Sequence, residues 1–243
     1  MIIAQRLRRG MLKRLLPQPV SARHAEYSMI FSADDDGAPA SPRLMSVAME
    51  AIQHARSLSL APVTARMPAP PYYPEVWPGE IYKLLAGLVQ VMQPRSVVEV
   101  GTGVGTSTLA MKAFMPDDAT LLTFDILGWR DYEGSLLREE DFQDGRLRQS
   151  TEDLNDPAVF AKHRDAFAGA DLIYLDGPKD GLMEPRLLDR FATLKFSNAP
   201  LIAFDDIRVW NMLKTWRLIR RPKLDLTSFG HWTGTGLVEW GAL

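Results

Sequence analysis

Val97-Val98-Glu99-Val100-Gly101-Thr102-Gly103-Val104-Gly105-Thr106-Ser107-Thr108 is the stretch on which the reading of this chain turns. Apolar, β-branched residues run into three glycines spaced two apart, and an apolar helical pattern follows. Such a pattern specifies a buried strand, a tight turn and a helix. Glycine lets the backbone come close to a ligand, and the new helix aims its free N–H groups at that ligand. A nucleotide-like cofactor suits a turn of this kind. The spacing narrows the choice, because a dinucleotide-binding turn places glycines at its first, third and sixth positions. Here they fall at 101, 103 and 105, and Thr106 holds the sixth position. The phosphate loop that ends in Gly-Lys-Ser/Thr is also absent.

Around this stretch the chain alternates regularly. Helical periodicity covers 80–92, with Ile81, Leu84, Leu85, Leu88 and Val91 on one face, and Pro94 stops it. Strands are expected at 96–100, 120–124, 146–149, 171–175, 201–204, 224–228 and 236–240. Helices are expected at 106–115, 131–140, 157–167, 182–194 and 207–219. The expected fold class is therefore α/β: a Rossmann-like, doubly wound, mostly parallel seven-stranded sheet with an antiparallel C-terminal strand and a helical N-terminal extension. Residues 1–60 read as helical pieces, the clearest over 42–60, where Ser41 and Pro42 make an N-cap and first helical position. Asp34-Asp35-Asp36-Gly37 reads as a solvated loop. Residues 61–79 carry six prolines and read as an extended connector, with Tyr72, Tyr73 and Trp77 either pinning it to the core or lining a substrate mouth. The expected division is 1–78 as extension and connector on the acceptor side, and 79–243 as the cofactor-binding domain.

Composition excludes several classes. Of 243 residues, 46% are hydrophobic and 24% charged, which are ordinary globular values. A formal net charge of −2 gives no basic field for nucleic acid. The sequence has no cysteine, which excludes disulfides, thiolate zinc sites and a cysteine nucleophile, and fits a reducing, cytoplasmic location. No apolar run approaches the length of a membrane span. Residues 1–16 are basic and amphipathic; they read either as a helix packed on the domain or as a peripheral membrane contact, and they lack a signal peptide's apolar core.

Four expected strands end in or beside an acid: Glu99, Asp125, Asp176 and Asp205. Ligands of open α/β sheets sit beyond these strand ends. One such acid reads equally well as a helix cap, but four of them crowd one edge of the sheet. Asp125, at the end of the second strand, is placed to accept both ribose hydroxyls of a nucleoside cofactor.

The run Glu-Val-Gly-Thr-Gly-Val-Gly-Thr-Ser-Thr resembles motif I of the class I S-adenosylmethionine (SAM) methyltransferases, most of all their O-methyltransferase branch. The resemblance implies that Glu99, Gly101, Thr102, Gly103, Gly105 and Ser107 hold the methionine part of SAM, that Asp125 holds the ribose, and that Thr151 and Glu152 meet the adenine. Leu175-Asp176-Gly177-Pro178-Lys179-Asp180 and Ala203-Phe204-Asp205-Asp206 resemble the metal-dependent catechol and caffeoyl-CoA enzymes and a related bacterial group that methylates natural-product hydroxyls. It implies Asp176, Asp205 and Asp206 as ligands of Mg²⁺ or another divalent cation, Asp176 also beside the cofactor, and Lys179 as the catalytic lysine. The second acid of Asp205-Asp206 departs from the family's aspartate–asparagine pair. A third carboxylate strengthens cation binding but weakens the pull on an incoming oxyanion, and Asp206 reads alternatively as a cap for a helix starting at Ile207. His231, beside Trp232, is a rival base. The likeness covers about 79–206. It implies a SAM-dependent O-methyltransferase acting on a hydroxylated small molecule, with no nucleic-acid partner. The alternatives are a metal-free N- or C-methyltransferase of the same fold and a non-catalytic interaction module. Enzymes of this kind are often homodimers, and the oligomeric state stays open.

Overall fold

The computed structural model describes residues 39–70, 72–208 and 212–241. The stretches at 1–16 and 34–37 lie outside the described residues.

The strands are β1 (Ser96–Val100), β2 (Thr120–Phe124), β3 (Leu147–Ser150), β4 (Leu172–Leu175), β5 (Leu201–Asp205), β6 (Lys223–Asp225) and β7 (Thr235–Glu239). They form one sheet in the order β3-β2-β1-β4-β5-β7-β6. β1 to β5 pair in parallel, and β7 runs antiparallel to both β5 and β6. The strand order reverses at β1, between β2 and β4. That is where an open doubly wound sheet leaves a crevice for a ligand.

Nine helices are described: α1 (Pro42–Ser57), α2 (Ala61–Thr64), α3 (Tyr82–Met92), α4 (Thr106–Lys112), α5 (Glu140–Gln143), α6 (Pro157–Lys162), α7 (Arg164–Ala168), α8 (Met183–Phe191) and α9 (Met212–Leu218). Local chemistry starts them. The Ser41 hydroxyl accepts from Leu44 N at 3.0 Å ahead of Pro42, and the Asp156 carboxylate accepts from Ala158 N at 2.8 Å ahead of Pro157. α1 packs across α3 so closely that a Cβ on Gly87 would lie 2.4 Å from the Ala51 carbonyl oxygen.

Strand periodicity sorts the core onto two faces. Val97, Leu121, Leu172, Tyr174 and Leu201 pack with α1, α3 and α4. Val98, Val100, Phe124, Ile173, Leu175 and Phe204 pack with residues of α6 to α9. Glu99 falls on the same face as Val97, beneath α4, and is fully buried.

Four expectations need correction. Residues 131–136 are turns rather than helix: Asp131 N bonds to Gly128 O at 2.9 Å and Ser135 N to Tyr132 O at 3.1 Å, and the helix forms only at α5. Gly134, at φ +77°, ends any helical run there. The proline connector holds α2 and a short 3₁₀ turn at Tyr73–Glu75, because Pro62 and Pro74 sit in first-turn positions that need no N–H. Leu224–Ser228 is not a continuous strand: β6 stops at Asp225, whose carboxylate turns back to Thr227 N at 2.9 Å. Asp206 caps no helix at Ile207. The N–H groups of Ile207 and Arg208 bond instead to the carbonyls of Gly234 and Thr233, at 3.2 and 3.0 Å.

Candidate functional site

At the switch point the glycine turn is built as a cradle. Gly101, Gly103 and Gly105 have φ of +102°, +48° and +87°, a region that L side chains rarely adopt. A Cβ on Gly101 would sit 2.0 Å from the Asp176 carbonyl oxygen, and one on Gly105 2.4 Å from Leu137 Cγ. A Cβ on Gly103 would meet nothing within 4 Å among the described residues, so this position faces open space. The N–H groups of Gly101 and Thr102 both donate to Phe124 O, at 2.8 and 3.2 Å. Beneath the turn, Glu99 accepts from Ser107 Oγ and Thr108 Oγ1, each at 2.5 Å. Burial pushes the Glu99 carboxyl up to about 7 against the pull of those hydroxyls. Glu99 thus spends its two oxygens on Ser107 and Thr108 and fixes the turn from below.

Above the turn lies a cleft of about 400 Å³ lined by Gly101, Phe124, Asp125, Ile126, Tyr132, Glu152, Asp153, Asn155, Asp176, Gly177 and Met183, among others. Asp125 Oδ2 accepts from Gly103 N at 3.0 Å and Oδ1 from Leu127 N at 3.1 Å, so two loops hold its carboxylate at the rim. The Glu152 carboxylate is engaged by Lys162 Nζ at 2.8 Å and His163 Nε2 at 2.7 Å, and these partners pull it down to about 2. Thr151 is exposed and does not line the cleft.

On the other side of Asp176 lies a cluster of charged groups. Lys179 Nζ ion-pairs with Asp176 Oδ1 and lies 3.1 Å from Asp206 Oδ2. His231 Nδ1 lies 3.1 Å from Asp205 Oδ1, 3.7 Å from Asp206 Oδ1 and 2.7 Å from Thr233 Oγ1. On its other edge His231 Nε2 is 3.6 Å from Glu80 Oε2. Burial, then Asp205, push the Asp176 carboxyl up to about 6 against Lys179. Burial opposes the charged forms of Lys179 and His231, but the surrounding carboxylates outweigh it and raise both pKa values. The expected residues therefore do gather on one edge of the sheet. Among the described residues, Asp205, Asp206 and His231 are the set whose ligand atoms all lie within 4.8 Å of one another, while Asp176 is held by the ammonium.

Three participants were not legible in the sequence. Gln149 on β3 donates from Nε2 to Thr102 Oγ1 and Leu127 O, both at 3.2 Å, and accepts from Trp129 N at 2.8 Å, tying the glycine turn to the loop after β2. Tyr174 donates to Asp176 Oδ2 at 3.3 Å from a fully buried position. Glu80 reaches His231 because a bridge between Gly79 and His231 lays the connector's end beside the last loop. None of these carries a motif; only the Gly79–Glu80 boundary of the connector pointed that way.

No protein-family model and no curated protein sequence matches the chain. Solved structures do. A methyltransferase from Geobacter sulfurreducens superposes with a TM-score of 0.51 at 19% identity, covering 66% of this chain and 78% of that one. A candidate caffeoyl-CoA O-methyltransferase from Staphylococcus aureus gives 0.51 at 15% identity, covering 81% of this chain and 100% of that one. The chain has the class I methyltransferase fold.

Proposed function

We propose that the chain is a SAM-dependent O-methyltransferase that methylates a hydroxyl of a small molecule with the help of a divalent cation. One observation carries the reading. Among the described residues, the cleft beside the glycine turn is lined by four acids, Asp125, Glu152, Asp153 and Asp176, and by no lysine or arginine. That lining suits a cationic sulfonium nucleoside and repels the phosphates of a dinucleotide. The open space over Gly103 and the paired carboxylate of Asp125 supply the room and the ribose acceptor such a ligand needs.

The donor's sulfonium activates its methyl group for transfer; the chain must align an oxygen with it and take a proton. Alignment alone supplies on the order of 7–11 kcal/mol of a barrier. The Asp176–Lys179 pair supports the proton step. Asp176, near 6, exchanges a proton at neutral pH, and once it is neutral the Lys179 ammonium faces the acceptor's new negative charge. The residues also fit a cation. Among the described residues, Glu80, Asp176, Asp205 and Asp206 face only Lys179 and His231, which leaves a negative surplus in a mostly buried cluster. Asp205 and Asp206 would hold Mg²⁺ or a similar ion, whose chemistry is to lower the pKa of a bound hydroxyl. The bridge at Gly79 supports an acceptor side formed by the preceding connector. The acidic rim speaks against nucleic acid, and the absence of cysteine supports a cytoplasmic location. Among the described residues no helix is long and apolar enough to cross a membrane.

Calorimetry with S-adenosylhomocysteine tests the cofactor assignment. Asp125→Ala should weaken binding at least about tenfold, the loss of a charge-assisted hydrogen-bond pair. Unchanged affinity would remove the ribose assignment, and no binding by the native chain would remove the function.

A further inference from the structure

The pattern of aspartates implied a cation held by three carboxylates, but the geometry divides them. Asp206 faces two ways: its Oδ2 meets the Lys179 ammonium at 3.1 Å, and its Oδ1 turns toward His231 Nδ1 at 3.7 Å. Asp205 Oδ1 lies 3.1 Å from the same nitrogen. Ligands about 2.1 Å from a metal and at right angles to one another are about 3.0 Å apart; the Asp205 contact has that spacing, the Asp206 contact is longer, and Thr233 Oγ1, at 2.7 Å from Nδ1, would give way to an ion. Both aspartates are more than nine-tenths buried. An independent feature sits on the far side of the imidazole. Metal-bound histidines give their second ring N–H to a carboxylate, which fixes the ring and its tautomer. Glu80 Oε2 lies on that side, 3.6 Å from His231 Nε2 and within reach of a hydrogen bond after a small movement, and the backbone bridge between Gly79 and His231 holds the two residues in register.

We propose that Asp205 Oδ1, Asp206 Oδ1 and His231 Nδ1 form the protein's face of the divalent-cation site, that Glu80 is the outer carboxylate orienting His231, and that Asp176 stays with Lys179 outside the coordination shell. This rests on the cation of the proposed function and changes its chemistry. Two carboxylates and a neutral imidazole leave a bound divalent ion with no net charge, so it keeps its pull on an incoming oxyanion; a third carboxylate would make the site net negative. A nitrogen donor also moves preference from Mg²⁺ and Ca²⁺ toward Mn²⁺, Co²⁺ or Zn²⁺.

The test uses the full chain without a histidine tag, loaded with Mn²⁺. Pulsed electron paramagnetic resonance should show ¹⁴N coupling to a directly bound imidazole, replaced by ¹⁵N coupling in histidine-labelled protein. His231→Gln should abolish that signal and weaken Mn²⁺ binding at least about tenfold, and Glu80→Gln should weaken it less while keeping the signal. Asp176→Asn should leave the nitrogen coupling in place. Bound Mn²⁺ without nitrogen coupling, or coupling that survives His231→Gln, overturns the proposal. So does an Asp176→Asn loss as large as that of Asp205→Asn. A native chain that binds S-adenosylhomocysteine but no Mn²⁺ overturns the cation site and leaves the methyltransferase reading standing.

Discussion

Replacing Glu99 by glutamine should change how stability depends on pH more than it changes the fold. Glu99 is fully buried under the glycine turn, and burial lifts its carboxyl to about 7 from an ordinary 4.5. A raised carboxyl pKa means that the folded chain binds the proton more tightly than the unfolded one. Stability therefore falls as pH rises from the unfolded value toward the folded one, and levels off above it. At about 1.4 kcal/mol per pH unit, the gap between those two values amounts to about 3 kcal/mol. Glutamine keeps the shape and carries no charge, so it removes this dependence. Urea denaturation of both proteins between pH 4.5 and 8 reads the effect. The stability of Glu99→Gln relative to the native chain should rise by about 3 kcal/mol across that range, with most of the rise below pH 7. Subtracting the two curves removes the carboxyls that do not interact with Glu99. A difference that does not vary with pH would show that Glu99 is ionised at little cost, and that the hydroxyls of Ser107 and Thr108 fully offset its burial.

Three further outcomes follow from the same geometry. Gly101→Ala puts a Cβ against the Asp176 carbonyl at a φ of +102°; it should cost at least about 2 kcal/mol in denaturation and abolish S-adenosylhomocysteine binding. Gln149→Leu frees the glycine turn from the loop after β2; it should weaken S-adenosylhomocysteine binding severalfold with little change in kcat at saturating cofactor, and equal loss in both would mean a wider collapse. With Asp176 as proton acceptor, kcat/KM should rise with pH through about 6, and Lys179→Met, which removes the opposing charge, should move that limb to higher pH; an unmoved limb assigns the proton elsewhere.

Legibility in the sequence followed the range of the interaction. β1, β2 and the starts of α1 and α4 fall where the sequence pattern puts them, because strand alternation, a glycine turn and a Ser-Pro cap are local signals. The clustering of Glu99, Asp125, Asp176 and Asp205 at one edge was also readable, since parallel strands point their ends the same way. The turns at 131–136 are not legible because one of the bonds that ends them, from Leu136 N to Val104 O at 2.8 Å, reaches into another element. The alternative of Asp206 as a helix cap fails on partners distant in sequence, because Gly234 and Thr233 take the next two N–H groups.

The sequence by itself determined the α/β class, the seven strands, the glycine turn after β1 and the acids that gather at the strand ends. These are properties of residue order, and the physics of strand, turn and cap acts within a few residues. Only the tertiary structure decided which carboxylate meets which partner. Lys179 is drawn to Asp176 and Asp206, and His231 to Asp205 and Glu80, because burial makes each charge take the nearest opposite one, and nearness across β4, β5 and the last loop is set by packing.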